Sequence, residues 1–146
     1  MQELSHNFRL TDFQAALGIS QLKRANEGLA RRKQIAEKYR QKFSEISEVT
    51  IRELPDNSIH AYHLFIIETE ERKKLYDHLR ENGIFSQIHY IPVHLMPYYK
   101  QFGWKKGDFP MAEDYYEHCI SLPMYPSLGD DDQDYVIEKV AEFFNS

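Results

Sequence analysis

A chain of 146 residues with 42% hydrophobic and 14% aromatic content can bury one core, which excludes a disordered protein. Its formal charge of −5 sets up no positive field to gather polyanions, so a general binder of nucleic acid or of membrane surfaces is excluded. No apolar run approaches the ~20 residues that span a bilayer, the N-terminus shows no signal-peptide pattern, and the lone Cys119 allows no internal disulfide. A cytoplasmic protein is expected, with Cys119 as inert packing.

The chain opens on Ser5-His6-Asn7-Phe8-Arg9-Leu10-Thr11-Asp12-Phe13-Gln14, a polar elbow leading into a helix. Thr11 and Gln14 make a capping box, which predicts a helix starting near Asp12 with its first free N–H groups beside Asn7 and Arg9. An amide donor and a guanidinium at a helix N-terminus suit a phosphate. Asn7 also suits a turn or a second cap, and Arg9 also suits a carboxylate partner. The helical pattern continues to about Ile46, with Leu22, Leu29, Ala36 and Phe43 in one row and Ala25, Tyr39 and Ile46 in the next. Gly28 marks a kink or break. A spacing of seven suits either the chain's own core or a partner helix. The interleaved bases, among them Lys23, Arg24, Arg31, Arg32, Lys38 and Arg40, read as a solvated face.

Residues 49–54 and 61–68 then read as strands of a hairpin turning at Pro55-Asp56-Asn57-Ser58. A charged helix over residues 70–82 ends on Asn82-Gly83, and residues 85–91 alternate as a further strand. Residues 92–103 form an aromatic loop with a helical turn, Phe109-Pro110 starts a helix to about Cys119, and residues 120–124 are extended. An acidic N-terminus at Asp130-Asp131-Asp132 opens a last helix to about Phe143. The expected fold is α+β: a small, mostly antiparallel sheet covered by helices, with a long N-terminal helix. One domain is expected, divided into an elbow and long helical segment over residues 1–46 and an α/β part over residues 47–146.

The densest polar and aromatic cluster runs from Gln87 to Tyr99 and contains His89, Tyr90 and His94. Strand alternation places Gln87, His89 and Ile91 on one side. These histidines suit either ligand contact or bonds to nearby backbone. Neither the His89/His94 nor the His60/His63 spacing matches a zinc site, and no metal is expected. No Ser or Cys sits in a nucleophile elbow, and the six glycines follow no phosphate-loop spacing.

Three stretches point further: Asn7-Phe8-Arg9-Leu10-Thr11-Asp12-Phe13-Gln14-Ala15-Ala16-Leu17-Gly18 with Gln21-Leu22; His89-Tyr90-Ile91-Pro92-Val93-His94 with Pro97-Tyr98-Tyr99; and Phe109-Pro110-Met111-Ala112-Glu113 with Ile120-Ser121-Leu122-Pro123-Met124-Tyr125-Pro126. In this order and spacing they resemble the C-terminal part of the DegT/StrS-type sugar aminotransferases, pyridoxal-phosphate enzymes of fold type I. The His-Tyr-Ile-Pro-Val-His segment and Gly107-Asp108-Phe109-Pro110 are most similar to the branch that aminates a UDP-linked 4-keto deoxysugar for flagellin glycosylation. The resemblance implies a homodimer that moves an amino group from glutamate to a 4-keto nucleotide-sugar with pyridoxal 5'-phosphate. It implies that Asn7 reaches the partner subunit's cofactor phosphate, that Arg9 meets an anionic substrate group, and that His94, with His89 and Tyr90, lines the sugar-nucleotide pocket. The lysine that bonds the cofactor matches nothing in this chain. A fragment inactive alone, lacking an upstream cofactor-binding large domain, is therefore expected. The alternative is a self-standing, non-catalytic dimerisation or binding module of the same fold.

Overall fold

The computed structural model describes residues 9–55 and 58–145. The first helix, α1 (Asp12–Phe43), starts at the capping box: the Thr11 side chain accepts from the Gln14 amide while the Gln14 side chain accepts from the Thr11 amide. It runs 32 residues without a break at Gly28. Its two halves differ sharply in environment. Ile35, Ala36, Tyr39 and Phe43 are buried, whereas residues 9–27 are all exposed, so the helix leaves the body as a bare shaft.

The body is built on β1 (Phe65–Glu68) and β2 (Cys119–Leu122), antiparallel, with Phe65 opposite Leu122 and Glu68 opposite Cys119. Single bridges add one residue at each edge, Thr50 against Glu68 and Gln87 against Ser121, both antiparallel. Helix α2 (Arg72–Glu81) therefore carries the chain from β1 over to the far side of β2. It ends on Asn82 and then Gly83, whose φ of +75° is the left-handed conformation that glycine takes most readily. A 3-10 turn at Val93–Leu95, the short α3 (Pro97–Lys100), α4 (Pro110–His118) and α5 (Asp130–Asn145) complete the order.

The core lies between the sheet, the C-terminal half of α1, α2 and α5. Phe65 and Ile67 of β1 meet Ile120 and Leu122 of β2, Leu75 and Leu79 of α2, and Val136 and Val140 of α5. Tyr39 stacks on Phe43 at 5.5 Å between ring centres, tilts against Phe65 at 4.9 Å, and donates its hydroxyl to the Pro123 carbonyl at 3.1 Å. Cys119 is buried, as expected of a packing thiol.

Three strand expectations are corrected. The hairpin strand over residues 49–54 shrinks to the Thr50 bridge, because Arg40 takes the Arg52 carbonyl at 3.1 Å and so withdraws it from a ladder. The second strand begins at Phe65 rather than residue 61, because Arg32 draws in the carbonyls of Tyr62 and His63, and Tyr62 has a φ of +48°. The strand over residues 85–91 is only the Gln87 bridge. The predicted turn residues Asp56 and Asn57 lie outside the described residues. Nor are the bases of α1 simply solvated. Arg31 binds the Leu128 carbonyl and Asp130, each at 2.7 Å, Arg32 also holds the Met124 carbonyl at 3.1 Å, and Lys38 pairs with Asp134 at 2.8 Å.

Candidate functional site

Asn7 lies outside the described residues. Arg9 is exposed just ahead of α1 and pairs with no described carboxylate. The Thr11 hydroxyl is committed to the cap, so the polar groups on offer at this end are the Arg9 guanidinium and the unpaired first-turn amides.

His89 lies near the Gln87 bridge, and its Nδ1 is 2.9 Å from Ser121 Oγ on β2. Its ring meets Tyr90 edge-on at 4.6 Å, across a cis His89–Tyr90 peptide bond. His89 and Ser121 share the wall of a cleft of about 610 Å³, with Gln87, Tyr125, Asp132 and Tyr135 as further polar lining and Phe85, Met124 and Leu128 as apolar lining. Tyr90 is exposed and lies off that wall.

His94 takes a different position. It is 8% exposed in the 3-10 turn, its Nε2 is 2.8 Å from Glu113 Oε1, and its ring lies 4.8 Å from that of Phe109. Glu113 in turn accepts from the Gly107 amide at 2.8 and 2.9 Å and from the Phe109 amide. The His94 bond first, and those amides after it, hold the Glu113 carboxyl below the usual carboxylate range. The structure thus joins His89 to Ser121 and His94 to Glu113; His94 does not line the cleft that contains His89.

Ser121 and Glu113 are the residues that reasoning from sequence passed over. Ser121 read as a strand entry, with no signal of its bond to His89. Glu113 had one, since it falls in the first turn after Pro110, where a carboxylate folds back onto amides preceding the helix.

A second cleft, about 660 Å³, runs beside α1 and includes Arg24, Arg31, Arg32, His63 and Pro126. Arg31 and Arg32 are committed to the loop carbonyls described above. Among the described residues, no group of three or more His, Cys, Asp or Glu is placed to hold a metal ion, and no helix is long and apolar enough to cross a membrane.

A long helix leading into a small antiparallel sheet is an arrangement that this chain shares with solved aminotransferases. S. venezuelae DesV, solved in complex with a ketimine intermediate, matches with a TM-score of 0.94 at 29% identity, over 99% of this chain and 39% of that one. Helicobacter pylori PseC, an aminotransferase involved in the biosynthesis of pseudoaminic acid, matches with a TM-score of 0.85 at 32% identity, over 99% of this chain and 40% of that one. The chain belongs to the DegT/DnrJ/EryC1/StrS aminotransferase family, which it matches over residues 1–141. It is 41% identical over 145 residues to the spore coat polysaccharide biosynthesis protein SpsC of Bacillus subtilis strain 168, and spans 37% of that relative's length.

Proposed function

We propose that this chain is the C-terminal part of a pyridoxal-phosphate aminotransferase that moves an amino group from glutamate to a 4-keto nucleotide-sugar, supplying a surface or flagellar glycan. The observation that carries this reading is the family match over residues 1–141. The likeness to PseC, a pseudoaminic acid enzyme by description, supports the UDP-sugar branch. In this reading residues 47–146 are the small domain of a cytoplasmic homodimer, and the cofactor-binding large domain lies in a segment outside this chain.

The residues suit the edge of such a site rather than its centre. Arg9 offers a cation to an anionic substrate group, and Asn7 would reach the partner subunit's cofactor phosphate. His94, with His89 and Tyr90 as secondary contacts, would face the sugar nucleotide. Pyridoxal phosphate, when bound, supplies the electron sink for the transfer. The chain's own groups bind and orient the substrate around it. Among the described residues, no lysine lines the cleft that contains His89.

A second reading, the self-standing dimerisation module, is favoured by one observation. Phe13 and Leu17, one turn apart, lie exposed on the same face of α1, with Leu10 exposed just ahead of the helix. Two assays separate the readings. The full product of the gene should transfer nitrogen from glutamate to a UDP- or dTDP-linked 4-keto sugar. The 146-residue chain, incubated with pyridoxal phosphate and borohydride, should trap no adduct at any one defined lysine. A stoichiometric adduct at a single lysine of this chain, or a full product inert toward every such sugar, overturns the proposal.

A further inference from the structure

Glu113 sits in the first turn of α4, and its carboxylate gathers both ends of the aromatic arm that runs from the 3-10 turn to the start of that helix. It meets His94 Nε2 at 2.8 Å, the Gly107 amide at 2.8 and 2.9 Å, and the Phe109 amide at 3.4 Å. Gly107 adopts a φ of +96°, a conformation that glycine takes without strain. Trp104 and His94 both pack on Phe109, at 5.3 and 4.8 Å between ring centres, so one carboxylate anchors the arm and its rings.

The chemistry of that bond fixes a proton. An ionised carboxylate can only accept hydrogen bonds, so the proton shared with Glu113 belongs to His94 Nε2. In the neutral ring the free lone pair then falls on Nδ1. No described group bonds Nδ1, and Ser86 Oγ is the one described side-chain atom that is sealed from solvent without a partner. Nδ1 is therefore not sealed from solvent, in a ring that is otherwise buried.

We propose that Glu113 is a positioning residue that sets His94 to present Nδ1 as a hydrogen-bond acceptor, so that His94 reads a donor on the ligand, a sugar hydroxyl or an amino group, rather than a phosphate or carboxylate oxygen. This rests on the reading of His94 as a sugar-nucleotide contact. Imidazole nitrogen NMR of the 146-residue chain, at a pH where the ring is neutral, should show His94 as the Nε2–H tautomer. Glu113→Leu removes the acceptor and should move the His94 nitrogen shifts from a pure Nε2–H form toward the mixture of tautomers that a free imidazole shows, while Glu113→Gln keeps one oxygen and should hold them in place. In the full gene product, Glu113→Leu should raise KM for the sugar nucleotide about tenfold with a smaller change in kcat, as loss of one hydrogen bond would. Rescue by Glu113→Gln should accompany it. An Nδ1–H tautomer in the unsubstituted chain, or a folded Glu113→Leu variant whose His94 nitrogen shifts are unchanged, overturns the proposal. If Glu113→Leu does not fold, the tautomer of the unsubstituted chain decides. A full product that shows the expected tautomer yet aminates no keto-sugar marks failure of the functional reading, and overturns the ligand assignment alone.

Discussion

Single side chains tie this body together where the sheet is too short to do so. Gln133, buried on α5, donates its amide to the Ile35 carbonyl at 2.8 Å and joins the two longest helices. Tyr39 does similar work from α1, with its hydroxyl on the Pro123 carbonyl at 3.1 Å. Burial pushes its phenol well above the ordinary value, with Tyr125 adding to the shift. A raised folded-state value means stability is fully present below the unfolded phenol's pKa of about 10 and is lost as pH rises toward the folded value. The urea midpoint should therefore fall between about pH 9 and 11 more steeply for the native chain than for Tyr39→Phe. At neutral pH the same substitution should destabilise by about 1 kcal/mol, since the Pro123 carbonyl loses its donor. Equal alkaline slopes for the two proteins would show that Tyr39 ionises freely.

At the scale of elements, α1 shows how a sequence break can be overridden. Gly28 lies mid-helix, where glycine weakens a helix by up to about 1 kcal/mol relative to alanine, yet the helix passes through it straight into the body. A Cβ built there would lie 3.4 Å from Pro126 Cγ, an ordinary contact. Gly28→Ala should accordingly stabilise the chain by about 0.5–1 kcal/mol in urea unfolding. A loss of stability would mean that Pro126 cannot give way. The shortened strands have the opposite cause. Arginines on α1 capture carbonyls of residues 52, 62 and 63, and a captured carbonyl is lost to the ladder.

For the whole molecule, the chain divides into a packed body and an exposed shaft. Phe13 is 84% exposed, Leu17 shares its face and Leu10 is exposed just ahead of the helix, so these side chains contribute nothing to the body's core. Leu17→Glu should leave the unfolding free energy of the 146-residue chain within about 0.5 kcal/mol of the native value. In the full gene product, the proposed function expects the same change to impair assembly, read by sedimentation. A large loss of stability in the isolated chain would place these side chains against the body instead. The aromatic arm is the second projecting part, and it is anchored at Glu113.

Sequence alone determined the features that depend on neighbours along the chain. The capping box at Thr11 and Gln14 and the Asn82-Gly83 stop satisfy amides or carbonyls within a few residues, Pro110 brings no amide to the start of α4, and the acidic first turn of α5 meets the positive end of its own helix. The motif order that marks the family was legible in the same way, and so was the polar character of the start of α1. Tertiary structure decided what depends on distant partners. It set where the strands end, since Arg32 and Arg40 reach across 30 and 12 residues to take their carbonyls. It bonded His89 to Ser121, 32 residues away, and gave His94 to Glu113, 19 residues away, on a different surface. Periodicity records which face of an element is apolar. Which carbonyl an arginine takes, or which carboxylate a histidine meets, is settled only when packing brings the two segments together.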